Sequence, residues 1–272
     1  MRIMNRFYQK EGKKMKENKK TLYVGAHSDD VSIGASVAIS RNPKQSCVLT
    51  VSNGVTVNQE FPLFLYGLTF RDFSEYSNAR LRDDIRAFQL LGIDSNNFFN
   101  GYMPAQKLHL YYGEILKLIE GVVEGRGIER VVTHSFPEAH PDHEVVSLCS
   151  HLVAQKKGIP VWEYPLYVIN SGGERLDQRF LDGDFSRDFQ VDFSPTEFEL
   201  RGKVLECYET QQFILKRFGG KNRESFRLVR RDLENLPLGT GYYYGDEKGA
   251  PTAEDIRGSF RSFLKEIRTR AT

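Results

Sequence analysis

Several scarcities narrow what this chain can be. Only three cysteines occur in 272 residues, and Cys47, Cys149 and Cys207 sit in separate apolar-patterned segments with no paired spacing. A disulfide framework is excluded, and the thiols read as buried in a reducing, cytoplasmic compartment. Net charge is only +2, so neither nucleic acid nor an acidic membrane surface is expected as the main partner. No apolar run is long enough to span a bilayer, so no stable membrane insertion is expected. No internal repeat or low-complexity segment occurs. Gly25 and Gly34 do not complete a G-x-G-x-x-G fingerprint, which argues against a dinucleotide site.

What is present is an ordinary globular composition with a regular alternation of patterns. The first twenty residues carry eight Lys or Arg and two Glu without an apolar core, so residues 1–19 read as a flexible basic tail rather than a signal or anchor. A single domain is expected over 20–272. Strands are predicted at 21–26, at 47–54 closing on Gly54, near 97–100, and over 129–134 and 159–168. Between them lie helical stretches at 32–40, at 79–91 with Leu81, Ile85, Phe88 and Leu91 on one face, around Ile115–Val122, and around Val145–Leu152. This alternation predicts an α/β, Rossmann-like, mainly parallel sheet with helices on both faces. Beyond residue 170 the pattern loosens into a C-terminal embellishment. A helix around 196–215, a strand over 223–231 and a capped helix at 252–267 are expected there.

Ligands of such sheets collect beyond the carboxyl ends of the strands. Two clusters fall there: His27-Ser28-Asp29-Asp30 after the first strand, and His140-Pro141-Asp142-His143 after the strand ending at His134. Alone, each reads as a helix cap or turn. Together they offer the imidazole and carboxylate mixture that zinc prefers, and two histidines plus one carboxylate leave a fourth position for water. Neighbouring aspartates point in different directions, so one can ligate while the other stays free beside an acidified water as general base. One histidine of the second cluster can ligate and the other can face a developing oxyanion.

These residues resemble the PIG-L/LmbE family of zinc-dependent de-N-acetylases, whose motifs read A-H-P-D-D and H-P-D-H. Here they stand as Ala26-His27-Ser28-Asp29-Asp30 and His140-Pro141-Asp142-His143. Weaker features are Arg80, Asp83, Ala87, Leu91 and Gly92 on one helix, and Lys203, Tyr208 and Gln211 near the C-terminus; the resemblance covers residues 20–230. It implies that His27, Asp30 and His143 bind Zn2+, one ion per chain, with another divalent metal as the alternative. It further implies Asp29 as general base, His140 as oxyanion stabiliser and proton donor, Asp142 as the group orienting a histidine, and Arg80 as a contact for sugar hydroxyls. The implied reaction removes an acetyl or small acyl group from an N-acetylated amino sugar such as N-acetylglucosamine, or from a glycoconjugate. A homo-oligomer is compatible with this reading.

Two departures stand out. Ser28 replaces the usual proline, which contributes no donor atom, and Ser32 stands where a "DDVE" variant carries glutamate. They motivate an alternative, a degenerate member that binds glycans without hydrolysis; a nucleotide-binding domain with incidental histidines is the third reading. His134 is expected to be a hydrogen-bonded structural residue, and His109 and His151 to lie at the surface or on a helix face. The aromatic runs at 110–112, 163–167 and 241–245 read first as core packing, with sugar stacking as the alternative reading for 241–245. Specificity is expected from 55–78, 100–112 and the C-terminal third.

Overall fold

The computed structural model describes residues 15, 18–56, 59–181, 188–236 and 251–271. The chain opens with Thr21–Gly25 (β1), Asp30–Arg41 (α1) and Ser46–Thr56 (β2). A hairpin of Leu63–Leu65 (β3) and Leu68–Phe70 (β4) follows. Next come Phe73–Leu90 (α2), Phe98–Ala105 (β5), Tyr112–Arg126 (α3), Arg130–His134 (β6), Pro141–Lys157 (α4) and Val161–Tyr164 (β7). A second hairpin, Tyr167–Ile169 (β8) with Arg175–Asp177 (β9), leads to Asp188–Asp192 (β10). Pro195–Glu206 (α5), Gln212–Leu215 (α6), Arg223–Val229 (β11) and Ala253–Ala271 (α7) complete the order.

Seven strands form one sheet in the order β10-β11-β7-β6-β1-β2-β5. The five from β7 to β5 run parallel, as the strand–helix alternation predicts. The C-terminal embellishment supplies β11 and β10, which extend one edge antiparallel. Period-two alternation builds two apolar layers from the same strands. Leu22, Val24, Cys47, Leu49 and Val131 face α3, α4 and α7, whereas Tyr23, Val48, Val132 and Trp162 face α1, α2 and α5. Both faces are covered, which makes the sheet doubly wound. Among the described residues no helix is long and apolar enough to cross a membrane.

Three expectations need correction and one is narrowed. The buried face of α2 is polar as well as apolar: Arg80, Asp83 and Asp84 are buried while Ile85 is 38 % exposed, because this face turns toward the loops above the sheet. The strand expected over 159–168 splits at Pro165, which has no N–H to continue the ladder, and β8 pairs with β9 instead. The helix expected around 196–215 breaks at Cys207–Tyr208, so exposed Lys203 and buried Gln211 do not share a side. His151 lies on α4, the helix-face alternative, and is fully buried rather than at the surface, since α4 is wedged between the sheet, α3 and α7. The aromatic run 241–245 lies outside the described residues.

The C-terminal third is fastened to the first helix by polar bonds. The Glu224 carboxylate accepts from the Val37 and Ala38 amides at 2.8 and 2.9 Å, in the middle of α1. The Ile33 carbonyl accepts from Gln178 Nε2 and Arg201 Nη2, both at 3.0 Å. A capping box built on Ser194 and Glu197 starts α5, and Thr252 with Asp255 starts α7.

A buried triad crosses α4, β7 and the segment after β11. Glu163 accepts from Arg231 Nε at 2.8 Å and Nη2 at 2.5 Å, and lies 2.9 Å from His151 Nε2. Burial opposes its charge, but Arg231 and His151 hold the carboxyl down to about 2. A carboxyl displaced that far from an unfolded value of 4.5 contributes on the order of 3 kcal/mol. Its folded-state pKa is depressed, so the contribution is complete above about pH 4.5 and is lost as pH falls toward 2. Glu163→Gln should therefore lower stability markedly at pH 7 and much less near pH 2.5. Urea titrations of both proteins at the two pH values measure the difference.

Candidate metal centre

β1 lies between β2 and β6, so the strand order reverses at the carboxyl ends of β1 and β6, where ligands collect in this architecture. The two sequence clusters meet there. The turn His27–Asp29 carries the first into α1, and the Ser135–His140 loop carries the second into α4. Pro141 opens α4 at a position that needs no N–H, and His140 caps it by accepting from the Asp142 amide at 3.1 Å. Asp142 and His143 thus occupy the first turn. Asp29 stands at the N-cap of α1 but makes no side-chain cap bond, so capping does not account for it. Asp30 instead accepts from the His27 amide at 2.6 Å.

The centre is defined by two imidazoles whose outer nitrogens are committed to carboxylates. His27 Nε2 faces Asp142 at 3.1 Å and His143 Nδ1 faces Glu138 at 2.7 Å. An ionised carboxylate only accepts, so each outer nitrogen carries the proton and each inner nitrogen presents a lone pair. Those inner atoms, His27 Nδ1 and His143 Nε2, lie 3.3 Å apart. Asp30 is 3.5 Å from the first and 3.4 Å from the second, through different oxygens. Two lone pairs directed at one another beside a carboxylate require a proton or a cation between them. For tetrahedral zinc with bonds near 2.0–2.1 Å, neighbouring ligand atoms stand about 3.3–3.4 Å apart. The donor set fits such an ion.

Donor atoms also group within 4.8 Å as His27–His140–His143 and as Asp30–His134–His143. The hydrogen bonds decide against His134 and His140 as primary donors. His134 Nε2 accepts from the Ala26 amide at 2.9 Å, its Nδ1 faces Glu138 at 3.3 Å, and the residue is fully buried. It is the structural histidine expected from its place at the end of β6. His140 uses Nδ1 on the Asp142 amide, which leaves Nε2 as its proton-bearing atom.

The electrostatics favour positive charge at this point. Burial opposes ionisation of Asp30, but His143, His134 and His27 hold it well below the usual carboxylate range. Burial likewise disfavours a His27 cation, yet Asp30 and Asp142 bring it up to about 9. Asp29 differs from its neighbour: burial pushes it up, Arg80 pulls the other way and Asp30 adds to the rise. The Arg80 guanidinium lies 3.7 Å from Asp29 and is buried. It passes over Gly54, whose φ is +71° and where an added Cβ would come within 2.2 Å of Arg80 Nε.

Above the centre is an open cavity of about 450 Å³. His27, Asp29, Asp30, Arg80, His140 and His143 all line it, so every residue of the two motifs singled out for binding or catalysis reaches it except Asp142, which stands behind His27. Much of the remaining wall comes from Thr56, Tyr66, Ala105, Gln106 and the 211–218 segment, within the regions from which specificity is expected. Gln211 Nε2 donates to Tyr76 Oη at 3.2 Å. Ser32 is explained by a buried chain: its Oγ lies 2.7 Å from Tyr208 Oη, which donates to Asp84 at 3.1 Å. Ser28 is buried with its hydroxyl unpaired, and nothing in the structure explains it in place of proline. Glu138 was not singled out in the sequence; the only signal was an acidic residue two positions before His140 in an otherwise apolar loop.

The model of the PIG-L family, described as GlcNAc-PI de-N-acetylase, matches residues 22–153. The chain carries a PIG-L family domain. That span holds both motif clusters, Glu138 and Arg80. Among curated proteins, none matches the chain. Solved structures share the fold at low identity. The zinc-inhibited form of a teicoplanin deacetylase is 16 % identical with a TM-score of 0.61, covering 78 % of this chain and 98 % of its own. The 4-carboxy-2-hydroxymuconate hydratase GalB from Pseudomonas putida is 17 % identical with a TM-score of 0.55, covering 80 % and 100 %. The N,N'-diacetylchitobiose deacetylase from Pyrococcus horikoshii is 14 % identical with a TM-score of 0.51, covering 78 % and 85 %.

Gly54→Ala should destabilise the PIG-L domain by about 1–2 kcal/mol through its left-handed backbone alone, and further by displacing Arg80. In an Arg80→Ala background only the backbone part should remain. A double-mutant cycle from denaturant unfolding checks this, and equal costs in both backgrounds would show that Arg80 does not depend on the glycine.

Proposed function

We propose that the chain is a metal-dependent N-deacylase that removes an acetyl or similar small acyl group from an N-acylated amino sugar or glycoconjugate. The observation that carries this is the pair of opposed lone pairs on His27 and His143 beside Asp30, with a second carboxylate, Asp29, left out of capping and facing the cavity. His27, Asp30 and His143 would hold the ion, for which zinc fits the donor set. When bound, zinc supplies Lewis acidity toward a carbonyl and acidifies a water to a pKa near 7.

The protein's own residues account for the remaining tasks. Asp29, raised by burial and steadied by Arg80, takes the proton of the attacking water as general base. His140, with its proton on Nε2, donates a hydrogen bond to the oxygen that gains charge as the amide carbonyl becomes tetrahedral. Collapse breaks the C–N bond, and the proton taken by Asp29 passes to the leaving nitrogen, releasing a carboxylate and a free amine. Asp142 and Glu138 keep the His27 and His143 rings in the ligating tautomer. Arg80, at the cavity wall beside Asp29, is the residue placed to meet sugar hydroxyls. The deacetylase activities of the teicoplanin and chitobiose enzymes that share this fold support the reading. A purely binding member would have no use for Asp29 left out of capping and facing the cavity beside a metal centre. The hydratase of the same fold makes amine release, rather than hydration, the decisive readout.

Zinc analysis of the purified protein should give one tightly held ion per chain, lost in His143→Ala. Asp29→Ala should keep the ion and lose turnover by about 10²–10⁴-fold, whereas Asp30→Ala should lose affinity for the ion itself. Amine release from N-acetylated sugars, scored with and without a chelator, completes the test. A protein that holds no zinc, or an Asp29→Ala variant with full turnover, would overturn the proposal.

A further inference from the structure

The hairpin β3–β4 contains a tension that its own stability does not explain. Its two-residue turn is Tyr66–Gly67, with φ of +50° and +83°. Positive φ at both central positions defines a type I′ turn, where Asn or Asp followed by Gly is the usual pair. An aromatic residue at the first position is held in a left-handed conformation that disfavours side chains with a Cβ. Strain of this kind persists where it positions something.

The tyrosine ring is not repaid by burial in the hairpin, since it remains 54 % exposed. It lines the same cavity as His27, Asp29 and His143. It faces Phe213, which projects from α6, is 60 % exposed and lines that cavity too. The two rings are nearly parallel, 10° apart in plane, with centroids 6.3 Å apart. That separation is near the far end of the 4.5–7 Å range for aromatic pairs, and each ring keeps more than half its surface in water. Tyr66 and Phe213, 147 positions apart in the chain, thus present two flat, nearly parallel apolar rings at the mouth of one cavity.

We propose that Tyr66 and Phe213 form a stacking subsite for a flat apolar ring face that the substrate carries beyond its N-acylated sugar. The face can belong to an aryl aglycone or to a second pyranose, which present the same chemistry to an aromatic wall. The proposal rests on the reading of the cavity as an N-acyl amino-sugar site. Stacking needs area and parallel orientation rather than hydrogen-bond direction, which is what the strained turn secures.

The test compares binding of N-acetylglucosamine, its phenyl β-glycoside and N,N'-diacetylchitobiose to the zinc-loaded protein by titration calorimetry. One or both ring-bearing ligands should bind about 5- to 10-fold more tightly than the bare sugar, as aromatic stacking implies. Which of the two gains tells an aryl face from a sugar face. Tyr66→Asn and Phe213→Ser should each reduce that preference to under about 2-fold, and Tyr66→Phe should keep it. Because Asn suits the turn, Tyr66→Asn should unfold at the same temperature as wild type or higher. A lower unfolding temperature for Tyr66→Asn would make the ring structural and overturn the proposal. So would a ring preference that survives both substitutions, or its absence in a wild type that binds and deacetylates the bare sugar. If no N-acetylated ligand binds or releases amine, it is the reading of the cavity that fails, and this inference falls with it.

Discussion

Two ring nitrogens pointed at each other across 3.3 Å, His27 Nδ1 and His143 Nε2, are the constraint around which the upper face of this molecule is arranged. Neither would hold that orientation alone, because each imidazole would turn to find a donor. Asp142 and Glu138 prevent this by accepting the protons on the far sides of the rings. Those carboxylates are themselves fixed by backbone amides. Asp142 accepts from Gln106 at 2.6 Å and from Leu108 at 3.3 Å, just beyond β5. Glu138 accepts from Leu166 at 2.6 Å, in the turn after β7. Strands on either side of β1 and β6 therefore contribute main-chain groups to a centre they do not line with ligands.

A buried cluster of this sign would be costly if it were incompletely compensated. Asp29, Asp30, Asp142 and Glu138 converge within a protein whose overall charge is almost balanced. Compensation comes from the imidazoles, from Arg80 and from main-chain N–H groups, and a divalent cation would complete it. The same fold serves a deacetylase and a hydratase, so chemistry is decided by which groups face the cavity and not by the sheet beneath.

Much of this was legible in the sequence because it depends on local rules. Apolar runs marked the parallel strands, and helical apolar faces marked most of the helices between them. The clusters at 27–30 and 140–143 could be placed at strand ends, and the structure brings them together. What escaped was long-range or polar. The buried side of α2 carries Arg80, Asp83 and Asp84, and apolar periodicity sees such residues as solvent-facing. Glu138 gains its role from His143, five positions on, and is fixed by the Leu166 amide 28 positions away. The burial of His151 was not legible because its partners, Glu163 and Arg231, come from other elements. The strain at Tyr66 is a property of φ, which no pattern of side chains announces.

The fastening of α1 by Glu224, Gln178 and Arg201 bears on what counts as the working unit. The family match ends at residue 153, and the residues proposed to hold the ion all precede it. Yet the helix that begins with Asp30 has its middle amides and the Ile33 carbonyl occupied by groups from beyond that point, and Tyr208 and Arg257 reach Ser32 and Glu144 in the same way. The part of the chain beyond residue 153, which looks optional in a motif search, is thus not an accessory. A few of its side chains are hinge pins for the motif-bearing half, set among stretches of hairpin and loop that are free to be rebuilt. A chimera that exchanged the cavity wall between relatives would have to carry those pins across intact, whatever it changed between them.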